Sequence, residues 1–129
     1  MKHGIVIAHG PLGAAFIEAA KSIMGTDEGL YPLSVTEMSA QEIHARLSSF
    51  VNNPPADVEG VVIMACLRGG SSWNVSAAVC NDKSHVRLVS GCNLAMILSF
   101  LTQRDALSLD ELADKITQDA KTGVTTFHP

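Results

Sequence analysis

Hydrophobic positions along the chain fall into four short continuous runs separated by stretches of helical periodicity. Ile5-Val6-Ile7-Ala8 is the first run. It shows no polar alternation, which predicts a strand buried on both faces. Leu30 to Val35 is the second; Pro32 interrupts it and places it at a sheet edge, because proline cannot donate to a ladder. Val61-Val62-Ile63-Met64 is the most strand-like run in the chain. In the fourth, Val86-Arg87-Leu88-Val89, a charged residue breaks the apolar sequence.

The intervening stretches read as helices. Leu12, Phe16, Ala19, Ala20 and Ile23 share one face at a spacing of about 3.6 residues, and Gly25 is the expected stop. Ser39-Ala40-Gln41-Glu42 has the form of a capping box and precedes Ile43, Leu47 and Phe50. Asn52-Asn53-Pro54-Pro55 ends that helix. Trp73, Ala77 and Ala78 mark a helix after Gly70, and another runs from Leu94 to Leu101. A second capping box, Ser108-Leu109-Asp110-Glu111, opens the last helix. That helix turns Leu112, Ile116 and Ala120 inward and stops at Gly123. The tail from Val124 to Phe127 is β-prone and can supply a fifth strand.

Strands alternating with helices predict an α/β fold, a parallel sheet covered on both faces. With 129 residues the chain is expected to form one domain over residues 1–129, enough to bury a core without staples. Charged residues make up only 17% of the sequence and apolar residues 47%, which argues against disorder. A net charge of −4 gives no basic footprint, so no nucleic-acid partner is expected. The 3 cysteines form no Cys-x-x-Cys pair, so neither a disulfide framework nor a metal site is expected. No run is long and apolar enough for a signal peptide or a membrane span, and the chain reads as cytoplasmic. The apolar excess in so short a chain points to an oligomer interface.

In open parallel sheets, ligands bind beyond the carboxyl ends of the strands, where the strand order reverses. Three turns fall there: Ala8-His9-Gly10-Pro11-Leu12-Gly13, Cys66 to Asn74, and Ser90-Gly91-Cys92-Asn93. His9 ends a buried strand, and a neutral imidazole there suits attack on a phosphoryl group. The plainer reading is a histidine that hydrogen-bonds a loop carbonyl. Gly69-Gly70-Ser71-Ser72 precedes a helix, so its backbone N–H groups and the helix N-terminus favour an anion. Alone it is an ordinary strand-to-helix turn; together with His9 it describes a phosphohistidine site. No P-loop, dinucleotide fingerprint or nucleophile elbow is present, and Ser72 stands where a phosphatase-type cysteine loop needs arginine. His3, His44, His85 and His128 are scattered and carry no assigned role.

Ile5-Val-Ile-Ala-His9-Gly-Pro-Leu-Gly-Ala-Ala-Phe resembles the opening of the mannose-family enzyme IIA domain of the bacterial sugar phosphotransferase system. The third turn resembles that family's Asp-x-aromatic-Gly-Gly-Ser-Pro-x-Asn, here Cys66 to Asn74. The fourth resembles Gly-x-Asn-hydrophobic-Pro-Met, here Gly91 to Met96, and the Leu109-Asp110-Glu111-Leu112 helix also matches. The resemblance runs through essentially the whole chain. It implies a three-layer α/β/α fold with four parallel strands in the order 2-1-3-4, and a C-terminal strand exchanged in a homodimer. It implies a phosphohistidine carrier without a cofactor. His9 would accept a phosphoryl group from phospho-HPr and pass it to a IIB component, with the membrane reached only through IIC and IID partners. Gly10, Cys66, Arg68, Gly69, Gly70, Ser71, Ser72 and Asn74 are the expected supporting residues.

Four positions depart from the family pattern. Cys66 replaces the aspartate that orients the active histidine, Arg68 an aromatic, and Ser72 and Ala95 two prolines. A thiol is a poor substitute for a carboxylate that fixes an imidazole tautomer. Arg68 can instead attract a phosphoryl group by charge-assisted hydrogen bonds. Two alternatives to the carrier therefore stay open. One is a regulatory domain of the same fold that works through protein contacts. The other is a thiol enzyme using Cys66 with His9 as base.

Overall fold

The computed structural model describes residues 1–129. Four strands and five helices follow one another as β1 (Lys2–Ala8), α1 (Leu12–Met24), β2 (Leu30–Ser34), α2 (Ala40–Asn52), β3 (Gly60–Ala65), α3 (Gly70–Cys80), β4 (Val86–Ser90), α4 (Leu94–Gln103) and α5 (Leu109–Thr122). The strands form one sheet in the order β2-β1-β3-β4, and every pair is parallel. The order reverses at β1, so the crevice between the ends of β1 and β3 is the switch point.

Strand parity divides the core. Val6, Val62, Met64 and Val89 pack with Met96, Ile97, Phe100, Leu112 and Ile116 beneath α1, α4 and α5. Ile5, Ile7, Val61, Ile63 and Val86 pack with Ile43, Leu47 and Val79 beneath α2 and α3. The central strands β1 and β3 are buried along their whole length, as unbroken apolar runs demand. β1 starts three residues before the apolar run, because Lys2 and His3 are buried too. The Lys2 ammonium reaches the Glu59 carboxylate at 3.3 Å and the Arg104 carbonyl at 3.0 Å. β2, with Pro32, lies at one edge and β4 at the other. Arg87 on β4 donates to Asp110 at 2.6 Å, tying the strand to α5.

Both capping boxes form, at Ser39 with Glu42 and at Ser108 with Glu111. Two helix faces differ from the sequence reading. On α1 the buried residues are Gly13, Ile17 and Ala20, while Leu12 and Ile23 lie exposed. The cause is the close approach at Gly13, where a Cβ would stand 3.0 Å from the Val6 carbonyl oxygen. The glycine, invisible to a hydrophobicity pattern, turns the helix by about 100° relative to its larger apolar residues. On α3 Ser76 and Val79 are buried, and Ala77 and Ala78 face solvent. The Ser76 hydroxyl is satisfied by the Ser72 carbonyl at 2.7 Å, which lets a polar residue sit inside. The segment after α5, residues 124–129, carries no strand in the single chain, and Phe127 is 84% exposed. No helix is long and apolar enough to cross a membrane.

Candidate functional site

The ladder continues past the strands and pins the loops beyond them. Val35 N–H donates to the Ala8 carbonyl, Cys66 N–H to Ile7 and Cys92 N–H to Ala65, at 3.0, 3.3 and 3.1 Å. His9 follows the last residue of β1 and is exposed at this edge. The chain turns immediately after it, with Gly10 at φ +58°, a region that favours glycine. The Gly10 N–H donates to Thr36 Oγ1 at 2.7 Å, which holds the turn against the end of β2.

His9 lines a cavity of about 340 Å³ together with Cys66, Leu67, Ser72, Cys92, Leu12 and Phe16, and with the end of β1. Three of the sequence-expected residues, His9, Cys66 and Ser72, thus come together. No carboxylate lines this cavity. Arg68 is exposed and lies outside the lining, as do Gly69, Gly70 and Ser71. Asn74 lines a different depression between α2 and α3, beside Gln41 and His44.

Gly69 and Gly70 both adopt positive φ, +82° and +81°, and their Cβ positions meet nothing within 4 Å. The glycines are therefore required by backbone conformation, not by crowding. No side chain caps the N-terminus of α3, so its first N–H groups remain available to an anion. On the far side, Asn93 caps α4 by accepting from Met96 N–H at 2.9 Å. Its amide also donates to the Ala120 carbonyl at 3.1 Å, closing the end of α5.

The two thiols in the cavity are held protonated. Burial pushes Cys66 up, and it pushes the deeper Cys92 up to about 12 with the neighbouring Cys66 adding to the shift. A thiolate nucleophile needs the opposite environment, so this cavity works against the thiol-enzyme reading. The sequence reading places Leu12 and Cys92 in turns at this edge without giving them a role at the site, and it does not bring Thr36 or Phe16 there. Thr36 could have been found, since it follows the second strand at the same carboxyl edge as His9. Leu12 and Phe16 read there as core, and only the rotation of α1 turns them toward this cavity.

Residues 4–117 match the model of the EIIA-man family, described as "PTS system fructose IIA component". The chain is 28% identical over 116 residues to the sorbose-specific EIIA component of the PTS of Klebsiella pneumoniae, covering 90% of this chain and 84% of that protein. It is 24% identical over 126 residues to the mannose-specific EIIAB component of Escherichia coli, where it spans 93% of its own length and 38% of the longer protein. The fold superposes on the PTS component EIIA from Streptococcus agalactiae with a TM-score of 0.87 at 24% identity, covering 98% of this chain and 97% of the other.

Proposed function

The chain belongs to the EIIA-man family of the phosphotransferase system, and from that membership we propose that it is a cytoplasmic phosphohistidine carrier with His9 as the acceptor. The observation that carries the reading is the placement of His9 at the switch point, exposed, in a cavity beside the uncapped α3 N-terminus. In the proposed step the lone pair of an unprotonated His9 ring nitrogen attacks the phosphorus of phospho-HPr. The P–N bond to the donor histidine breaks and its electron pair returns to the donor ring. Transfer to a IIB component repeats the exchange with His9 as donor. The turn Gly69-Gly70-Ser71-Ser72 offers backbone N–H groups to the oxygens, and neutralises charge that gathers there as the phosphoryl group passes. Arg68 supplies a cation from outside the cavity.

The same reading treats residues 1–129 as a single domain of a homodimer, in which the exposed tail adds a strand to the partner's sheet. HPr and IIB are the transient partners, and membrane components are reached only through them. The test is labelling with phosphoenolpyruvate, enzyme I and HPr. The wild type should become labelled in an acid-labile, base-stable form, and His9→Ala should not, while His44→Ala should label like the wild type. An unlabelled wild type would overturn the carrier reading.

One observation favours a second reading, a regulatory domain of the same fold. The cavity holds Cys66 where the family pattern has a carboxylate. On this reading His9 labels slowly or not at all, and a protein partner still binds the His9 face.

A further inference from the structure

The opposite end of the sheet holds a second cleft, and it is built from different chemistry. It opens where β1 and β2 begin, about 20 Å from His9 along β1 at ~3.3 Å per residue. Its volume is about 390 Å³, and His3, Tyr31, Arg46, Phe50, Pro54 and Val58 contribute to its walls. A smaller hollow of about 230 Å³ adjoins it and shares Tyr31, Arg46 and Phe50. The combined space lies within the range of small-molecule sites.

His3 is the telling residue. It is only 8% exposed, and its ring nitrogens make no side-chain hydrogen bond within the chain but keep contact with solvent at the cavity wall. An imidazole whose nitrogens face a cavity can offer them to a ligand group there. Its ring leans on Tyr31 at 5.4 Å between centroids, and Tyr31 meets Phe50 edge-on at 4.9 Å. The aromatic wall is thus pre-arranged. Beside it stands the Arg46 guanidinium, which takes no part in the four ion pairs of the chain. No carboxylate lines either hollow. The buried Arg104, which donates to the Glu28 carbonyl and stacks on Phe100 at 5.6 Å, adds positive potential behind His3, while the Asp57 and Glu28 carboxylates act on the ring in the opposite sense.

We propose that this cleft is a second binding site, for a small planar aromatic ring bearing one anionic group. One permanent cation sets one anionic group, and a guanidinium fits a carboxylate or phosphate in a paired geometry. Tyr31 and Phe50, set edge to face with Pro54 beside them, offer the ring both a stacking face and a ring edge. His3 offers one donor and one acceptor for a ring hydroxyl or nitrogen. The site stands apart from the His9 chemistry and does not depend on the carrier reading.

The chain contains 1 tyrosine, so the Tyr31 ring resonances report on this cleft alone. Indole-3-carboxylate and phenyl phosphate are titrated into the full-length protein, with neutral indole and inorganic phosphate as the parts of each. Saturable movement of the Tyr31 signals by at least one ring anion is expected, with the His9 ring signals unmoved. Neutral indole and inorganic phosphate should bind about tenfold or more weakly. Arg46→Gln, at an exposed position that should not disturb folding, should lose a similar factor, and Arg46→Lys should recover part of it. No saturable Tyr31 movement by either ring anion at millimolar concentration would overturn the proposal, as would equal binding by Arg46→Gln. His9 labelling is read separately, so loss of either activity is distinguishable from loss of the other.

Discussion

Single residues decide what each end of the sheet can do. Cys66 lines the same cavity as His9, and burial keeps its thiol neutral. Cys66→Asp should therefore raise the rate of phosphoryl transfer to His9, by about ten- to a hundredfold if the acid orients the ring as carboxylates orient metal-bound histidines. Rapid-quench labelling measures it, and an unchanged rate would show that position 66 does not orient His9. At the other end His3 is held below its ordinary value of 6.5, first by burial and then by Arg104. A base whose folded pKa is lowered takes up its proton more readily in the unfolded chain. Its neutral form is fully accommodated above pH 6.5, and stability is lost as pH falls through 6.5 toward the lowered folded value. Urea midpoints should thus fall as the buffer is acidified below pH 6.5, and His3→Gln should flatten that slope. The lowered carboxylates, Glu59, Asp110, Glu111 and Asp119, titrate from ordinary values of 4.5 or 3.8 and act in a separate, more acidic window.

At the scale of elements, capping carries much of the organisation. α5 begins with a reciprocal box in which Ser108 Oγ accepts from Glu111 N–H at 3.2 Å and Glu111 accepts from Ser108 N–H at 3.0 Å. This helix supplies Leu112 and Ile116 to the core and carries Asp110, the partner of Arg87 on the edge strand. Ser108→Ala should cost about 1 kcal/mol, which is about 3–5 °C in Tm for a domain of this size. Calorimetry checks it; no change would mean that packing alone sets the start of α5. α3 is built the other way. Its N-terminus has no side-chain cap and is led by two positive-φ glycines, so local stability is given up there. α1 exposes Leu12 and Ile23 because Gly13 brings its other side onto the sheet. An apolar stripe that reads as core in the sequence thus becomes surface leading to the His9 cavity.

For the whole molecule, the question left by the single chain is what covers its tail and its β4 edge. Val124 and Phe127 are 77% and 84% exposed, and an open edge strand is a template for pairing. Truncation after Thr122 should weaken association, and light scattering should show the mass falling toward the 13.6 kDa of one chain. A dimer mass that survives truncation would count against strand exchange. The sequence by itself determined the four strands, the five helices, both capping boxes and the parallel α/β class. These rest on local periodicity and on hydrogen bonds between near neighbours, which a linear pattern records. It also marked His9 and the Gly69-Gly70 turn, since the carboxyl edge follows from strand order once the sheet is parallel. Only the tertiary structure decided which of these residues meet. It joined Thr36 to the His9 edge, put Cys92 into the same cavity as His9, left Arg68 and Asn74 outside that cavity, and rotated α1 about Gly13. It also made His3, read as a scattered histidine, the buried wall of a second cleft. Such contacts depend on close approach between elements far apart in the chain, down to the absence of a single Cβ, and hydrophobic periodicity carries no record of that.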